Sequence, residues 1–355
     1  MNITPETEDS EVSKMRNKNP DLQPNELTPE TKASMKTRII SAIVGLVVCV
    51  PLIVLGDFFF FAFVTFILVV GTYEIIHCAK KKYNIALYIV AWILALLMAY
   101  WPMIRSIPGF VTGEATFNWH MYTMFEELYI SILILVLGVC GLFVMVIIDK
   151  GFTVRDACFI FTMMLVITLG FQSGLIVRYF PSQQFHKMFP DATTQFMNWY
   201  DNLESCLLIV YVLIGTFMTD VGAYFVGVFF GKHKMNPRIS PKKTWEGFFG
   251  GVVISSLVSF AFGFIFSICK HPLIYGILDF EHWYLILVLS LIIPLASVLG
   301  DFVFSSAKRH FDIKDFGNIM PGHGGVLDRL DSVVFSLLTT ATFISLYQYW
   351  SQFIK

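Results

Sequence analysis

Long apolar runs, broken by short polar stretches, fill the chain from Ile39 to Trp350. Nine of them approach the ~20 apolar residues that a helix needs to cross a hydrocarbon core: residues 39–55, 58–76, 85–103, 128–148, 157–177, 206–230, 248–269, 283–304 and 333–350. The pattern predicts an all-α, polytopic membrane protein with nine transmembrane helices. Only Gly56 and Asp57 separate the first two runs, and Pro51 interrupts the first, so a kinked or re-entrant pair is the alternative there. The first 36 residues are polar, rich in Pro, Glu, Thr, Asn and Lys, and predict a disordered, uncleaved tail over residues 1–37. Behind it lie amino-terminal helices one to five, within 38–205, and a membrane region of helices six to nine with their loops, within 206–355, which holds the candidate chemistry.

Composition agrees. Hydrophobic residues make up 56% of the chain and charged residues only 14%, against about 25% charged in an ordinary soluble domain. A mean hydropathy of +0.67 over 40.4 kDa excludes a soluble single-domain enzyme, whose surface would need polar cover. The net charge of −1 gives no global basic field, so nucleic acid is not an expected partner.

Charge position says more than charge total. Nine alternating crossings put Arg105, Arg178, Lys187, Lys270 and Lys355 on one side and the remaining twenty of the 25 basic residues on the other. The positive-inside rule then predicts a cytoplasmic amino terminus and an external carboxyl terminus. Two long external loops, 104–127 and 178–205, would carry Trp119, Tyr122, Trp199 and Tyr200 as headgroup-level anchors. The six cysteines lack disulfide or zinc spacing and read as small core residues.

Polar residues concentrate on the cytoplasmic side of the second half, in 219–247 and 300–332. Carboxylates inside spans cost roughly 2.5 to 3.5 kcal/mol on insertion scales, so Glu74, Asp220 and Asp301 each need a reason. Glu74 lies one turn from Lys80, Lys81 and Lys82 and is expected to pair with them or reach the interface. Asp301, Ser305 and Lys308 follow an i, i+4, i+7 spacing, which gives one face if the eighth helix continues that far. Asp328 and Asp331 share a face if helical; capping of the ninth helix by Asp331 or Ser332 accounts for one carboxylate but hardly for both. Asp301, Asp328 and Asp331 offer the hard oxygen donors that Mg²⁺ takes, and Lys308, Arg309, Lys242 and Lys243 would neutralise phosphate. Gly317, Gly322, Gly324, Gly325 and Ser240-Pro241 accompany them, and His323 stands between glycines where backbone can approach a ligand; a turn-forming role for His323 is the alternative. His233 and His310 read as loop residues without a role. Motifs of the P-loop, the nucleophile elbow and the H-E-x-x-H metalloproteases are missing.

Ser305-Ser-Ala-Lys308-Arg309, Lys314-Asp315-Phe-Gly317 and Pro321-Gly-His-Gly-Gly325-Val-Leu-Asp328-Arg329-Leu-Asp331 together resemble the signature of the phosphatidate cytidylyltransferases, or CDP-diacylglycerol synthases. Asp220, Ala223-Tyr224, Gly231 and Ser240-Pro-Lys-Lys-Thr-Trp-Glu-Gly247 look like the same family's second block. Thr219, before Asp220, and Ala307, before Lys308, depart from the usual residues. The resemblance implies condensation of CTP with phosphatidate in phospholipid biosynthesis, giving CDP-diacylglycerol and pyrophosphate, with Mg²⁺ and a monovalent cation such as K⁺ as cofactors. It implies a metal centre at Asp301, Ser305, Asp328 and Asp331, and catalytic contacts from Lys308, Arg309, Asp328 and Asp331. Within the matched blocks, Asp220, Ser240, Lys242, Lys243, His323, Gly324 and Arg329 are the expected substrate contacts. The expected partners are CTP, phosphatidate and the bilayer, with a homodimer left open. The short chain favours a bacterial inner membrane over the endoplasmic reticulum. The rival readings are another CTP-using membrane enzyme, such as a polyprenol kinase or an ether-lipid cytidylyltransferase, and an ion-coupled transporter built on intramembrane carboxylates.

Overall fold

A computed structural model of the chain describes residues 29–104, 128–188, 197–320 and 324–354. Within them the chain is almost wholly helical: α1 (Pro29–Leu55), α2 (Asp57–His77), α3 (Ile85–Ile104), α4 (Leu128–Ile148), α5 (Val154–Met188), α6 (Met197–Phe230), α7 (Trp245–Ile268), α8 (Trp283–His310) and α9 (Leu327–Ile354). A short antiparallel hairpin, β1 (Lys234–Asn236) with β2 (Ser240–Thr244), joins α6 to α7 and pairs Lys234 with Thr244 and Asn236 with Ser240. Helices follow from the apolar runs because a backbone in hydrocarbon must satisfy its own hydrogen bonds.

Among the described residues, six segments are long and apolar enough to cross a membrane: Phe58–His77, Val154–Ser182, Ser205–Phe230, Trp245–Ile268, Trp283–His310 and Leu327–Ser351. The apolar stretches in the other three expected spans are shorter, at Ile43–Leu55, Ile85–Tyr100 and Ile132–Ile148. The helices also outrun the apolar sequence that announces them. Helix α1 begins at Pro29, inside the expected tail, and α9 begins at Leu327, six residues ahead of the ninth apolar run. The expected 178–205 loop is mostly helix, since α5 continues through Pro181 to Met188 and α6 opens at Met197. Trp199 and Tyr200 therefore lie in the first turn of α6, while Trp119 and Tyr122 fall outside the described residues. Pro51 does not divide α1; the break comes at Gly56, whose φ of 66° is a conformation that side chains other than glycine resist.

Small residues set how closely the second-half helices pack. A Cβ on Gly251 of α7 would sit 2.7 Å from the Thr219 carbonyl oxygen of α6, so the two backbones touch, as small residues allow in membranes. Thr219 itself turns its hydroxyl back to the Gly215 carbonyl at 2.7 Å and is fully buried. Polar side chains add interhelical bonds: Thr216 donates to Ser336 at 2.8 Å, Ser256 to the Ser290 carbonyl at 3.0 Å and Tyr211 to the Ile286 carbonyl at 3.1 Å. The outer faces remain apolar, with Phe229, Phe249, Leu257 and Leu299 exposed as expected of surface that meets lipid. The cysteines are all free, but only Cys78 and Cys206 are buried; Cys140, Cys158 and Cys269 are exposed, so the core reading of these three is corrected. Cys140 and Cys158 lie on helices that turn an apolar face outward, where a thiol is as acceptable as in a core, and Cys269 follows the end of α7.

Gly251→Val should lower stability by ~1–3 kcal/mol through overpacking against α6, whereas Gly45→Val, at a position with nothing within 4 Å, should not. Thermal midpoints in detergent compare the two variants; equal midpoints would refute the α6–α7 contact.

Candidate active site

Helix α8 continues to His310, so Asp301, Ser305 and Lys308 do share a face, and α9 starts early enough to carry Asp328 and Asp331 one turn apart. Gly300 brings these two helices together at the level of the carboxylates: a Cβ there would lie 2.5 Å from the Asp331 carbonyl oxygen. Lys308 is buried between the helices. Its Nζ sits 2.8 Å from Asp328 Oδ1 and 4.0 Å from Asp331 Oδ2, and 5.5 Å from the centre of the Phe316 ring. An ammonium so enclosed needs carboxylate partners, and two are supplied.

Asp301 has two partners of its own. Ser305 donates to its Oδ1 at 3.0 Å, and Lys243 from β2 forms an ion pair with its Oδ2. Lys243 also lies 4.6 Å from the centre of the Phe302 ring. The hairpin is anchored to hold it. Thr244 caps α7 by accepting from the Gly247 N–H at 3.2 Å, and Glu246 in the first turn accepts from the Lys232 N–H at 3.1 Å and pairs with His233 Nδ1 at 2.6 Å. His233 is thus a partner of Glu246, and His310 ends α8 against Arg155 at 2.7 Å; neither is an idle loop residue. Asp220 of α6 is exposed into the same space, within electrostatic reach of Asp301 and Lys243, and Asp331 senses Asp301, Lys308 and Asp220. Four carboxylates thus face two lysines, leaving an excess of negative charge beside an apolar bundle.

The remaining expected residues divide. Adjacent strand residues point to opposite faces, and here Lys243 meets the carboxylates while Lys242 is exposed. Arg309 donates to the Ile239 carbonyl at 3.3 Å and the Ile313 carbonyl at 2.9 Å, tying the hairpin turn to the segment after α8. Ser240 stands in the hairpin opposite Asn236, and Arg329 is exposed on the first turn of α9. Gly324, at φ +90°, exchanges two backbone hydrogen bonds with Met320. His323 lies outside the described residues. Asp328 is fully engaged: besides Lys308, its Oδ2 accepts from the Phe316 N–H at 2.8 Å and the Gly325 N–H at 2.9 Å, and its side chain is 3% exposed. Among the described residues, no three His, Cys, Asp or Glu side chains converge closely enough to hold a metal ion. The lysines stand between the carboxylates instead.

Glu74 corrects the expectation set for it. It does not pair with the lysines that follow. Lys81 pairs with Asp156 at 2.6 Å and Lys80 donates to the Asp312 carbonyl at 3.3 Å. Glu74 is buried and accepts from the Val326 and Leu327 N–H groups, both at 2.9 Å, at the start of α9. Helix amino termini leave such donors unsatisfied and favour negative charge. A Cβ on Gly317 or Gly325 would sit 2.5 or 2.6 Å from Glu74 Oε1, so both glycines make room for it. The signal was in the sequence as an intramembrane carboxylate, but its donors lie 252 residues away.

Residues 36–347 match the family described as the cytidylyltransferase family. The chain belongs to that family. Among its curated relatives, the phosphatidate cytidylyltransferase of Bacillus subtilis (strain 168) is 45% identical over 127 residues, covering 36% of this chain and 43% of that protein. That of Staphylococcus epidermidis (strain RP62A) is 42% identical over 143 residues, 40% of this chain and 51% of the relative. That of Staphylococcus aureus (strain COL) is 43% identical over 144 residues, with the same two shares of 40% and 51%. The chain spans about half the length of the curated relatives it matches.

Glu74→Ala should cost ~1–3 kcal/mol, because two buried N–H groups at the start of α9 lose their acceptor. Glu74→Gln, which keeps one acceptor oxygen, should fall between the variant and the parent. Thermal unfolding in detergent reads the series; an unchanged midpoint for Glu74→Ala would show that the cap does not matter.

Proposed function

We propose that this cytidylyltransferase-family chain is a phosphatidate cytidylyltransferase, condensing CTP with phosphatidate to give CDP-diacylglycerol and pyrophosphate. The observation that carries the reading is the gathering of Asp220, Asp301 and Asp331 from three helices, with Lys243 and Lys308 against them, at one end of an apolar bundle. The relatives' names supply the substrates.

The chemistry follows from the charges. Both reactants are polyanions and repel each other, so neutralisation precedes any bond making. A phosphomonoester has its second pKa at about 6 and is largely dianionic at neutral pH, so phosphatidate needs no general base. Its phosphate oxygen attacks the α-phosphorus of CTP. The new P–O bond forms as the bond from the α-phosphorus to the bridging oxygen of the β-phosphate breaks, and pyrophosphate leaves with that electron pair. Lys308 and Lys243 hold positive charge beside the transferring phosphates, Asp328 orients Lys308, and Arg309 fixes the hairpin against the segment after α8. Positioning and electrostatics do the rest.

The donor set is oxygen-only and carries excess negative charge, which fits a hard divalent cation. Since no three carboxylates converge closely among the described residues, Asp301 and Asp331 would hold Mg²⁺ together with substrate phosphates and water, Asp220 lying beside them, and the ion would supply charge neutralisation. Ser305 and Asp328 support the same set through Asp301 and Lys308, and a monovalent cation such as K⁺ would share its oxygen chemistry. We place the amino terminus in the cytoplasm, with α1, α3 and α4 completing nine crossings and the charged end at the inner leaflet of a bacterial inner membrane. The distribution of basic residues and the bacterial relatives support this placement. Phosphatidate then keeps its acyl chains in lipid while its headgroup reaches the carboxylates and lysines.

Purified chain in mixed micelles of phosphatidate, with Mg²⁺ and CTP labelled at either the α- or the γ-phosphate, tests the reaction. Label should enter lipid from the α position alone; transfer of the γ label would make the protein a kinase, and lipid or ion flux without CTP consumption a transporter. Chelation of divalent cations should stop product formation and added Mg²⁺ restore it. Lys308→Ala should lower turnover by ~10²–10³-fold, the usual effect of losing one preorganised charge contact, and Asp331→Asn should abolish product while the thermal midpoint stays near that of the parent. Single cysteines placed at Lys80 and Lys242 should react with an impermeant reagent from the same face of the membrane; labelling from opposite faces would refute the topology.

A further inference from the structure

A cavity of about 420 Å³ opens between the last turn of α2 and the segment that follows α8. It lies outside the cluster of carboxylates and lysines, yet shares a wall with it. Phe316 forms that wall: the residue lines the cavity, its N–H holds Asp328 Oδ2 at 2.8 Å, and its ring centre is 5.5 Å from Lys308 Nζ. Glu74 lines the cavity as well while capping α9. Whatever fills this space therefore sits back to back with the buried lysine.

The lining has the chemistry of a nucleobase site. Tyr73 and His77 stack at 5.5 Å with their planes 12° apart and offer flat faces, and Phe316 adds a buried aromatic ring. Bases stack on such surfaces and are told apart by hydrogen bonds to their edges. Asp315 and Asn318 supply the edge contacts, both lining the cavity and both exposed to solvent there. Asp315 packs against the bend at Gly324, where a Cβ would lie 3.2 Å from both its Cβ and its carboxyl carbon. An ionised carboxylate only accepts. It suits the exocyclic amine of cytosine and repels the oxygen that uracil carries at the same position. The Asn318 amide can donate to the ring carbonyl. The volume suits a pyrimidine nucleoside, since ligand sites start at about 300 Å³.

We propose that this cavity binds the cytosine nucleoside of CTP, with Asp315 as the residue that selects cytosine over uracil. The assignment rests on the cytidylyltransferase reading above and adds the place and the specificity of the nucleotide. The base enters beside Tyr73 and His77, and the triphosphate passes Phe316 toward Lys308.

Equilibrium binding of labelled CTP to the purified full-length chain in detergent, without phosphatidate, tests the site, with UTP and inorganic tripolyphosphate as competitors. The parent should prefer CTP to UTP. Asp315→Asn should shrink that preference by ~10-fold or more, as expected when a site loses its partner for a polar group, with tripolyphosphate competition unchanged. Asn318→Ala and His77→Ala should each weaken CTP without weakening tripolyphosphate. Asp315→Asn is nearly isosteric at an exposed position, and an unchanged thermal midpoint certifies its fold. If the parent makes CDP-diacylglycerol but all three variants keep its CTP affinity and its preference over UTP, the cavity assignment is overturned and the reaction stands. If the parent binds CTP over UTP through these residues but makes no lipid product, the cavity stands and the reaction is overturned. Absence of CTP binding by the parent overturns both.

Discussion

A lysine ammonium enclosed by apolar helices stays charged only where carboxylates meet it, and carboxylates gathered in excess stay charged only where cations meet them. Lys308 stands at this crossing. Its short contact with Asp328 and longer one with Asp331 join α8 to α9, and through Asp331 it reaches the field of Asp301 and Asp220. Two lysines do not balance four carboxylates. The deficit is a standing attraction for a cation, and each lysine is a standing attraction for phosphate. A bundle stabilised by hydrophobic burial alone would have no reason to keep such a cluster.

Holding the cluster in place falls to backbone amides rather than to more charge. Asp328 accepts from Phe316 and Gly325, Glu74 accepts from Val326 and Leu327, and Gly324 and Met320 pair with each other. The chain between α8 and α9 is thus drawn against α2 and onto the start of α9 by the carboxylates of Glu74 and Asp328. Glycine is needed at 317 and 325 because the Glu74 carboxylate already occupies the volume of a Cβ. A motif dense in glycine and aspartate is in this respect a packing solution first and a binding loop second. Arg309 extends the same scheme by joining the hairpin turn to Ile313.

Much of this was legible from sequence wherever spacing within one helix decided the outcome. The i, i+4, i+7 row of Asp301, Ser305 and Lys308 and the one-turn separation of Asp328 and Asp331 needed only helical continuity, which α8 and α9 provide. Apolar runs located the helices but not their ends, because α5, α6 and α9 extend into polar sequence that hydropathy reads as loop. What depended on distant partners was not legible. The donors for Glu74 lie 252 residues ahead of it. The choice of Lys243 over Lys242 depends on the pleat of a hairpin of three and five residues, too short for a periodic signal. For Arg309 the sequence suggested a phosphate contact but not the backbone carbonyls of Ile239 and Ile313 that accept from its Nε and Nη1.

The same arrangement explains why the first helices and the second-half signature belong to one unit. Helix α2 supplies Glu74 to the start of α9 and Tyr73 and His77 to the cavity behind Phe316, so it touches both sides of the wall. Its neighbours hold it there: Trp92 of α3 donates to the Val69 carbonyl at 3.0 Å, and Lys81 just beyond α2 pairs with Asp156 of α5. Displacing α2 would remove the acceptor for two buried N–H groups and open the back of the cavity at once. Amino-terminal helices that lie outside the signature region therefore still bear on its chemistry. They do so through one carboxylate and two rings.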